Sequence, residues 1–216
     1  MKLNENGAAK KFIFLQHNHY GKGEVTLLRK DSAGFRAFAP GSSSYNVYNG
    51  CSLDDFCNVE FIGRLDPVIR ACLIDVPIPT IRGHVNGTWD ATVQTLYRKG
   101  FSLSETEVGS GGSGTEGTKF SYFGSNANRI AYHDETTTAV VWWLRSSHSS
   151  NRSHAYYVLT DGSVISYYAY DAGICARPAL ALSSEILVSD SPDSSGCYTI
   201  EDAVIAGEQY QKVNGV

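Results

Sequence analysis

Asp161-Gly162 stands between AYYVLT and SVISYY, two short runs rich in tyrosine and β-branched residues. An Asp-Gly pair so flanked is the strongest short-range signal for a β-hairpin, because glycine takes the backbone conformation that a tight turn demands. Upstream lies AVVWWLRS, β-branched and aromatic, which reads as a buried strand. Downstream, ARPALAL reads as a returning strand, and Pro178 confines its start to an edge or a bulge. A strand, a loop, a hairpin and a return strand therefore form one frame. Within it, residues 146–154 and 167–172 have the composition of a surface.

That composition is unusual in a countable way. Lys, Glu, Gln, Met and Trp make up 26 of the 216 residues, so the 31 residues 146–176 should hold about three or four of them. They hold none. In their place stand seven Ser, five Tyr and two His, with Asn151, Arg152 and two Asp. None of the five missing types has a codon ending in T or C. An Asn codon randomised at its adenines reaches Ser, Tyr, His, Arg, Asp, Ala, Ile and Cys, and none of the five.

The rest of the chain reads as a single α+β domain, residues 1–188, followed by a C-terminal extension, residues 189–216. KKFIFLQ and EVTLLRK are strand-like and joined through HYGKG. GFRAFAP reads as a third strand and GSSSYNVYNG as a polar loop. CSLDDFCNVEFIGRL has helical spacing, with Ser52 as N-cap and Asp54 and Asp55 in the first turn. LDPVIRACL continues as a second short helix. The two prolines of IDVPIPTIRG mark an extended connection rather than a central strand. TLYRKGFSLS is weakly patterned, and SETE offers a capping box for one helical turn. GSGGSGTEGTK lacks the ending of a phosphate loop and reads as a flexible surface loop. SDSPDSSG is linker-like, EILVSD and SGCYTI suggest one or two further strands, and AGEQYQKVNGV is a tail or an attachment.

The function classes narrow by composition. A net charge of −4, with no basic cluster, argues against nucleic-acid binding. No apolar run reaches the roughly 18 residues of a membrane span, and MKLNENGAAKKFIFLQ is too polar-flanked for a signal peptide. A soluble protein made in the cytosol is the expectation, and the resemblance named below makes that a bacterial cytoplasm. Five cysteines without CxxC spacing support neither a disulfide framework nor a zinc site, and Cys51 and Cys57 read as small buried hydrophobes. His17 and His19 read as a turn flank, not a metal site. No cofactor or metal is expected.

The pattern WWLRS … AYYV..DGSV … RPAL, with TLLRK, YNGCSLDDF and GFSLS upstream, resembles a family of domains from gut bacteria and their phages. These are related to the C-type lectin fold, in the branch shared with formylglycine-generating enzymes, and the resemblance covers roughly residues 10–183. It implies a C-type-lectin-like fold with short antiparallel strands, one or two helices and long loops. It also implies the behaviour of variable proteins of diversity-generating retroelements, in which a C-terminal repeat is mutagenised at adenines while the frame holds the fold. The ligand-binding residues would then be His148, Ser149, Asn151, Arg152, His154, Tyr157, Tyr167, Tyr168, Tyr170 and Asp171. Tyr gives rigid amphipathic area and Ser and Asn adaptable hydrogen bonds, as in antibody paratopes. Arg145 and Arg177, inside the anchors, are structural.

The expected partner is a bacterial surface protein or glycan, with other virion or tail proteins as further partners. Two other readings carry distinct expectations. A formylglycine-generating-like oxidase would need a partner for Cys175, or a His148–His154 relay with Asp161 or Asp171, and no activated nucleophile accompanies them. A fixed-specificity lectin or structural virion protein would stack sugar on Tyr167, Tyr168 or Tyr170. Asp134-Glu135 is a solvated turn in either case.

Overall fold

The computed structural model of the chain describes residues 1–41, 45–111 and 115–202, and beyond them the backbone of 204–205 and 208–209. Strands β1 (Lys2–Glu5), β2 (Ala8–His17) and β3 (Glu24–Arg29) form a meander, the last two joined through the glycine-bearing turn expected there. A sheet of order β1-β2-β3-β12-β6 results among the described residues. In it β12 (Ala179–Ser183) pairs antiparallel with both β3 and β6 (Gly100–Phe101). Strands β3 and β12 are buried almost end to end, which explains why their apolar residues run continuously instead of alternating.

A helical run follows: α1 (Ser52–Asp55), a π-helical turn (Phe56–Glu60) and α2 (Phe61–Gly63). Cys51 occupies the N-cap without a side-chain bond, so Ser52 is not the cap. The carboxylate of buried Asp54 takes over, accepting from Gly50 N–H (2.9 Å) and gripping the Arg98 guanidinium at 2.8 and 2.7 Å. The widened π turn brings the Cys57 carbonyl against Gly100, where any Cβ would overlap it. The second helix is α3 (Pro67–Ala71), capped by Asp66 onto Val68 N–H (2.9 Å), with proline at its first turn.

Two stretches differ from their sequence readings here. IDVPIPTIRG lies mostly in β4 (Val76–Val85), which runs two residues past it and pairs with β5 (Thr88–Arg98), and β5 takes in the weakly patterned TLYR. Pro77 and Pro79 are tolerated because a two-stranded ribbon leaves one edge of β4 free of ladder bonds. GFRAFAP is irregular rather than a strand. Ala33, Arg36 and Ala39 donate to the carbonyls of Ala176, Ile174 and Ala169, a spacing of three that fits no ladder.

After β7 (Ala131–Tyr132) and β8 (Ala139–Val140), the frame itself forms a sheet of order β11-β10-β9. It comprises β9 (Trp142–Ser147), β10 (His154–Val158) and β11 (Val164–Tyr168). The hairpin closes as expected: Leu159 N–H donates to Ser163 O (2.8 Å) and Gly162 N–H to Leu159 O (3.0 Å), with Gly162 at φ 80°. Gly162 also lies against the Asn126 carbonyl, so both backbone and space exclude a side chain.

Trp142 and Trp143 are fully buried, their indole N–H groups donating to Arg129 O (2.9 Å) and Arg36 O (2.8 Å). Both frame arginines are structural, as expected. Arg177 donates to the carbonyls of Arg29, Arg129 and Lys30 and lies over the Trp142 ring at 4.9 Å. Burial pushes its pKa down to about 10. Arg145 grips Glu107 at 2.6 and 2.7 Å, both side chains fully buried. Burial opposes its charge, and the Glu107 carboxylate more than restores it. SETE forms the expected reciprocal cap, Ser104 N–H to Glu107 (3.0 Å) and Glu107 N–H to Ser104 (3.1 Å), though it closes a single turn rather than a helix.

All five cysteines are free and buried. The chain from β13 (Leu187–Val188) to β14 (Ile200–Asp202) forms a small ladder. Beyond it, β15 (Val204–Ile205) pairs with β16 (Glu208–Gln209). The extension meets β1 through Lys2 N–H to Tyr198 O (2.8 Å) and Lys2 to Asp193 (2.6 Å). The remainder of AGEQYQKVNGV lies outside the described residues.

Candidate ligand-binding surface

Strand β11 is the outer strand of its sheet, and it carries Tyr167 and Tyr168, with Tyr170 in the turn that follows. Tyr167, Tyr168 and Tyr170 are 41%, 42% and 38% exposed. Their rings touch in sequence, Tyr167 to Tyr168 at 5.4 Å between centroids and Tyr168 stacked on Tyr170 at 5.1 Å. This ordering has a local cause. Ala169, between them, is fully buried, its N–H on Ser153 O (2.7 Å) and its carbonyl accepting from Ala39 N–H (2.9 Å). The chain is thereby pinned at one point while the tyrosines on either side face outward. Asp171 closes the segment as an Asx turn onto Gly173 N–H (2.6 Å).

Strand β10 supplies the next row. His154 lies opposite Tyr168, their rings 4.6 Å apart, and reaches Ser166 Oγ through Nδ1 at 3.4 Å. Burial holds its pKa below the ordinary histidine value, with the neighbouring His148 adding to the effect, and Nε2 has no hydrogen-bond partner. His148 stacks on Tyr156 at 5.5 Å. Tyr157 departs from expectation. It is 8% exposed and packs on Trp143 at 5.8 Å, so it is chiefly frame and meets the surface only through Tyr167 at 6.1 Å. The alternation of a strand explains this: positions facing Trp143 are interior.

The loop between β9 and β10 is built from the other expected residues. Ser149 and Arg152 are exposed, and Asn151 turns the chain by accepting from Ser153 N–H (3.0 Å). Arg152 lies over the Tyr45 ring at 5.4 Å. Ser146 and Ser147 are buried, not surface as their composition suggested: Ser146 is bonded to Glu116 and Ser147 to the Asn46 carbonyl.

Residues outside the frame hold this loop in place. The Asn46 amide donates to the carbonyls of His148 (2.9 Å), Asn151 (3.2 Å) and His154 (2.7 Å), while its oxygen accepts from His84 N–H (3.1 Å). It is fully buried, as is Tyr48, so GSSSYNVYNG is only partly a polar loop; residues 42–44 lie outside the described residues. Nothing in a run of Ser, Tyr and Asn marks one asparagine as a clamp. Glu116 is the counterpart in GSGGSGTEGTK: buried, it accepts from Ile81 N–H (2.9 Å), so that stretch is not simply a surface loop. Burial raises the pKa values of both Glu116 and Glu105. With Trp89, Tyr156 and Ser149 these carboxylates line a pocket of about 210 Å³ beside the loop.

The carboxylates and the cysteine considered for catalysis are otherwise occupied. Asp161 is spent on Ser163 in the hairpin turn (2.9 and 2.6 Å) and Asp171 on Gly173. Cys175 is fully buried in bridges with Phe35 and Trp142, and burial raises its thiol above the ordinary value. Among the described residues no group of three or more His, Cys, Asp or Glu is placed to hold a metal, and no helix is long and apolar enough to cross a membrane.

Residues 22–184 match the family described as Domain of unknown function (DUF6273), a span running from the β2–β3 turn to the end of β12. No curated protein and no solved structure matches the chain.

Proposed function

We propose that this chain, which belongs to the DUF6273 family, is a non-enzymatic recognition protein whose β9–β11 sheet and flanking loop form a variable ligand-binding surface. The observation that carries the reading is the exposed tyrosine row of β11 and the turn after it, on a fully buried frame. What sets these rings apart from other exposed aromatics is that they touch one another beside a rigid core, an arrangement that suits a binding surface. The residues that fix the frame, Arg145, Arg177, Trp142 and Trp143, lie outside the exposed set. Sequence change in the exposed set would leave the core untouched. We extend the reading to a C-type-lectin-like domain, phage or prophage encoded, diversified by a retroelement and carried on a virion or tail to a bacterial surface protein or glycan.

The pocket between Trp89, Tyr156 and Glu105 favours a second reading, a fixed-specificity carbohydrate-binding protein. Trp89 and Glu105 lie outside the variable-looking window, and an aromatic wall beside carboxylates suits a sugar. Labelled chain incubated with a panel of intact gut-bacterial cells, and with a glycan array, tests both. Binding lost on replacing Tyr167, Tyr168 and Tyr170 by Ala supports the variable surface. Binding unchanged by that triple variant but lost in Trp89→Ala supports the fixed pocket, and binding unchanged by both refutes the two.

A further inference from the structure

The chain holds six histidines, and three of them, His84 of β4, His148 and His154, meet around one asparagine. Asn46 is fully buried, and its amide nitrogen donates to the carbonyls of His148, Asn151 and His154, groups that can only accept. Its Oδ1 is therefore the acceptor for both the backbone N–H and the ring of His84, so His84 carries its hydrogen on Nδ1 (3.1 Å). The Asn46 N–H in turn donates to the Arg152 carbonyl (2.9 Å). One residue thus latches the turn between β9 and β10, with a histidine at each end of that turn and a third on Asn46 itself.

Each imidazole is held in a way that suits its neutral form. His148 Nδ1 accepts from Ser150 N–H (3.2 Å), a bond that a proton on Nδ1 would replace with two opposed donors. His154 reaches Ser166 through Nδ1 while its buried Nε2 has no partner, so the cation would hold a buried N–H without an acceptor. His84 is 7% exposed, and a second proton there falls on Nε2. The rings also oppose one another's charge. His148 and His154 are 6.1 Å apart, and burial, with His148 adding to it, holds His84 and His154 below the ordinary value of 6.5. Arg152, over the Tyr45 ring, adds to the effect on His84.

The neighbouring acids give no countercharge. None of the three histidines forms an ion pair among the described residues. Asp90, next to the Trp89 that packs on His84, is bonded to Arg82 (2.8 Å), and Asp171 is spent on Gly173 N–H. Glu105 and Glu116 line the pocket beside Tyr156, the ring on which His148 stacks. Burial raises both carboxyls, so they lose charge over the range in which the histidines gain it.

We propose that His84, His148 and His154 are an acid-operated latch: in mild acid they take up protons and release the loop between β9 and β10 from Asn46. Opening lets His84 and His154 titrate at their ordinary value. The closed loop is therefore fully stable above pH 6.5 and loses stability as pH falls below it. On the reading that this surface recognises a ligand, the ligand is held at neutral pH and let go in acid.

Amide exchange of the full chain, followed by NMR at pH 7.5, 6.5 and 5.0 and corrected for the intrinsic rate, tests this. The amides of Asn46, His148, Ser153 and His154 report the loop, and those of β3 and β12 serve as reference. A single imidazole that takes up its proton only on opening contributes about thirtyfold at pH 5.0. Loop protection should accordingly fall tenfold or more relative to the reference. The triple variant His84→Asn, His148→Asn and His154→Gln keeps hydrogen-bonding groups that do not titrate, and it should lose less than twofold. If that variant fails to fold, the carbon-bound imidazole protons of the wild type decide: the shifts of His84 and His154 should titrate with the midpoint at which protection falls. No ligand enters the measurement, so failure of the recognition reading leaves its result standing. Loop protection that follows the reference strands across the range overturns the proposal. So does an equal loss in the triple variant, or imidazoles whose titration ends before protection begins to fall.

Discussion

Glu107→Gln should destabilise the chain by about 3–5 kcal/mol, the loss typical of removing one partner from a buried ion pair. Both side chains of the Arg145–Glu107 pair are fully buried, and the carboxylate meets NH1 and NH2 at 2.6 and 2.7 Å. The amide replacement keeps the volume, so no cavity confuses the result, but it presents an N–H₂ group to a guanidinium that cannot lose its proton. Arg145 would keep the Ser102 carbonyl (2.9 Å) and the Pro79 carbonyl (3.1 Å), which stabilise the charge only in part. Glu107 also accepts from Tyr20 (2.8 Å) and from Ser104 N–H (3.0 Å), so the damage spreads to the β2–β3 turn and the 104–107 turn. Against a typical total of about 5–15 kcal/mol, the loss is large. Urea unfolding followed by the fluorescence of buried Trp142 and Trp143 reads it directly. Adding Arg145→Met to Glu107→Gln should recover more than about 1 kcal/mol, because the uncompensated charge is gone. A loss under about 1 kcal/mol for Glu107→Gln, or no recovery in the double variant, refutes the reasoning.

Other perturbations have equally definite outcomes. Gly162→Ala should cost about 1–2 kcal/mol through its left-handed backbone alone, and overlap with the Asn126 carbonyl should carry the total above about 2 kcal/mol in thermal unfolding. Replacing Tyr167, Tyr168 and Tyr170 by Ala should leave stability within about 1 kcal/mol while removing ligand, since the rings are well exposed. Burial lets Glu116 hold its proton to higher pH in the folded chain than the ordinary value of 4.5. As pH rises from 4.5 through that raised value, the unfolded chain releases its proton first and stability falls. Urea midpoints between pH 4.5 and 7 should therefore drop more steeply for the wild type than for Glu116→Gln, and equal slopes would contradict this. Asn46→Ala should free the 148–154 loop, seen as faster amide exchange there, because three carbonyls lose one shared donor.

What the sequence made legible were elements whose cause is local. The hairpin needed only Gly162 and its flanking residues, and α3 needed only Asp66 and Pro67. The structural roles of Arg145 and Arg177 followed from their apolar setting. What it concealed depends on partners far along the chain. IDVPIPTIRG carries prolines that argue against a central strand, yet β5 turns it into half of a ribbon whose outer edge needs no donor. Asn46 looks like any loop asparagine until residues 148–154 arrive more than a hundred positions later. Ser146 and Ser147 share the composition of an exposed loop but belong to a strand, and Glu116 and Asn46 satisfy them from outside it. Tyr157 and Tyr167 share one face of the sheet, and they differ because β10 is its central strand, packed on Trp143, while β11 is its outer one.

The claim that the tyrosine surface is a variable one is tested most directly by sequencing the DNA around the gene. The search is for a reverse transcriptase gene and a second copy of the codons for residues 142–182. The variable-surface reading expects a near-identical copy whose differences from the gene fall at adenines. Those differences should coincide with the codons of His148, Ser149, Asn151, Arg152, His154, Tyr167, Tyr168, Tyr170 and Asp171. They should spare those of Arg145 and Arg177. The absence of any copy, or a copy whose differences fall on the buried frame instead, would contradict it.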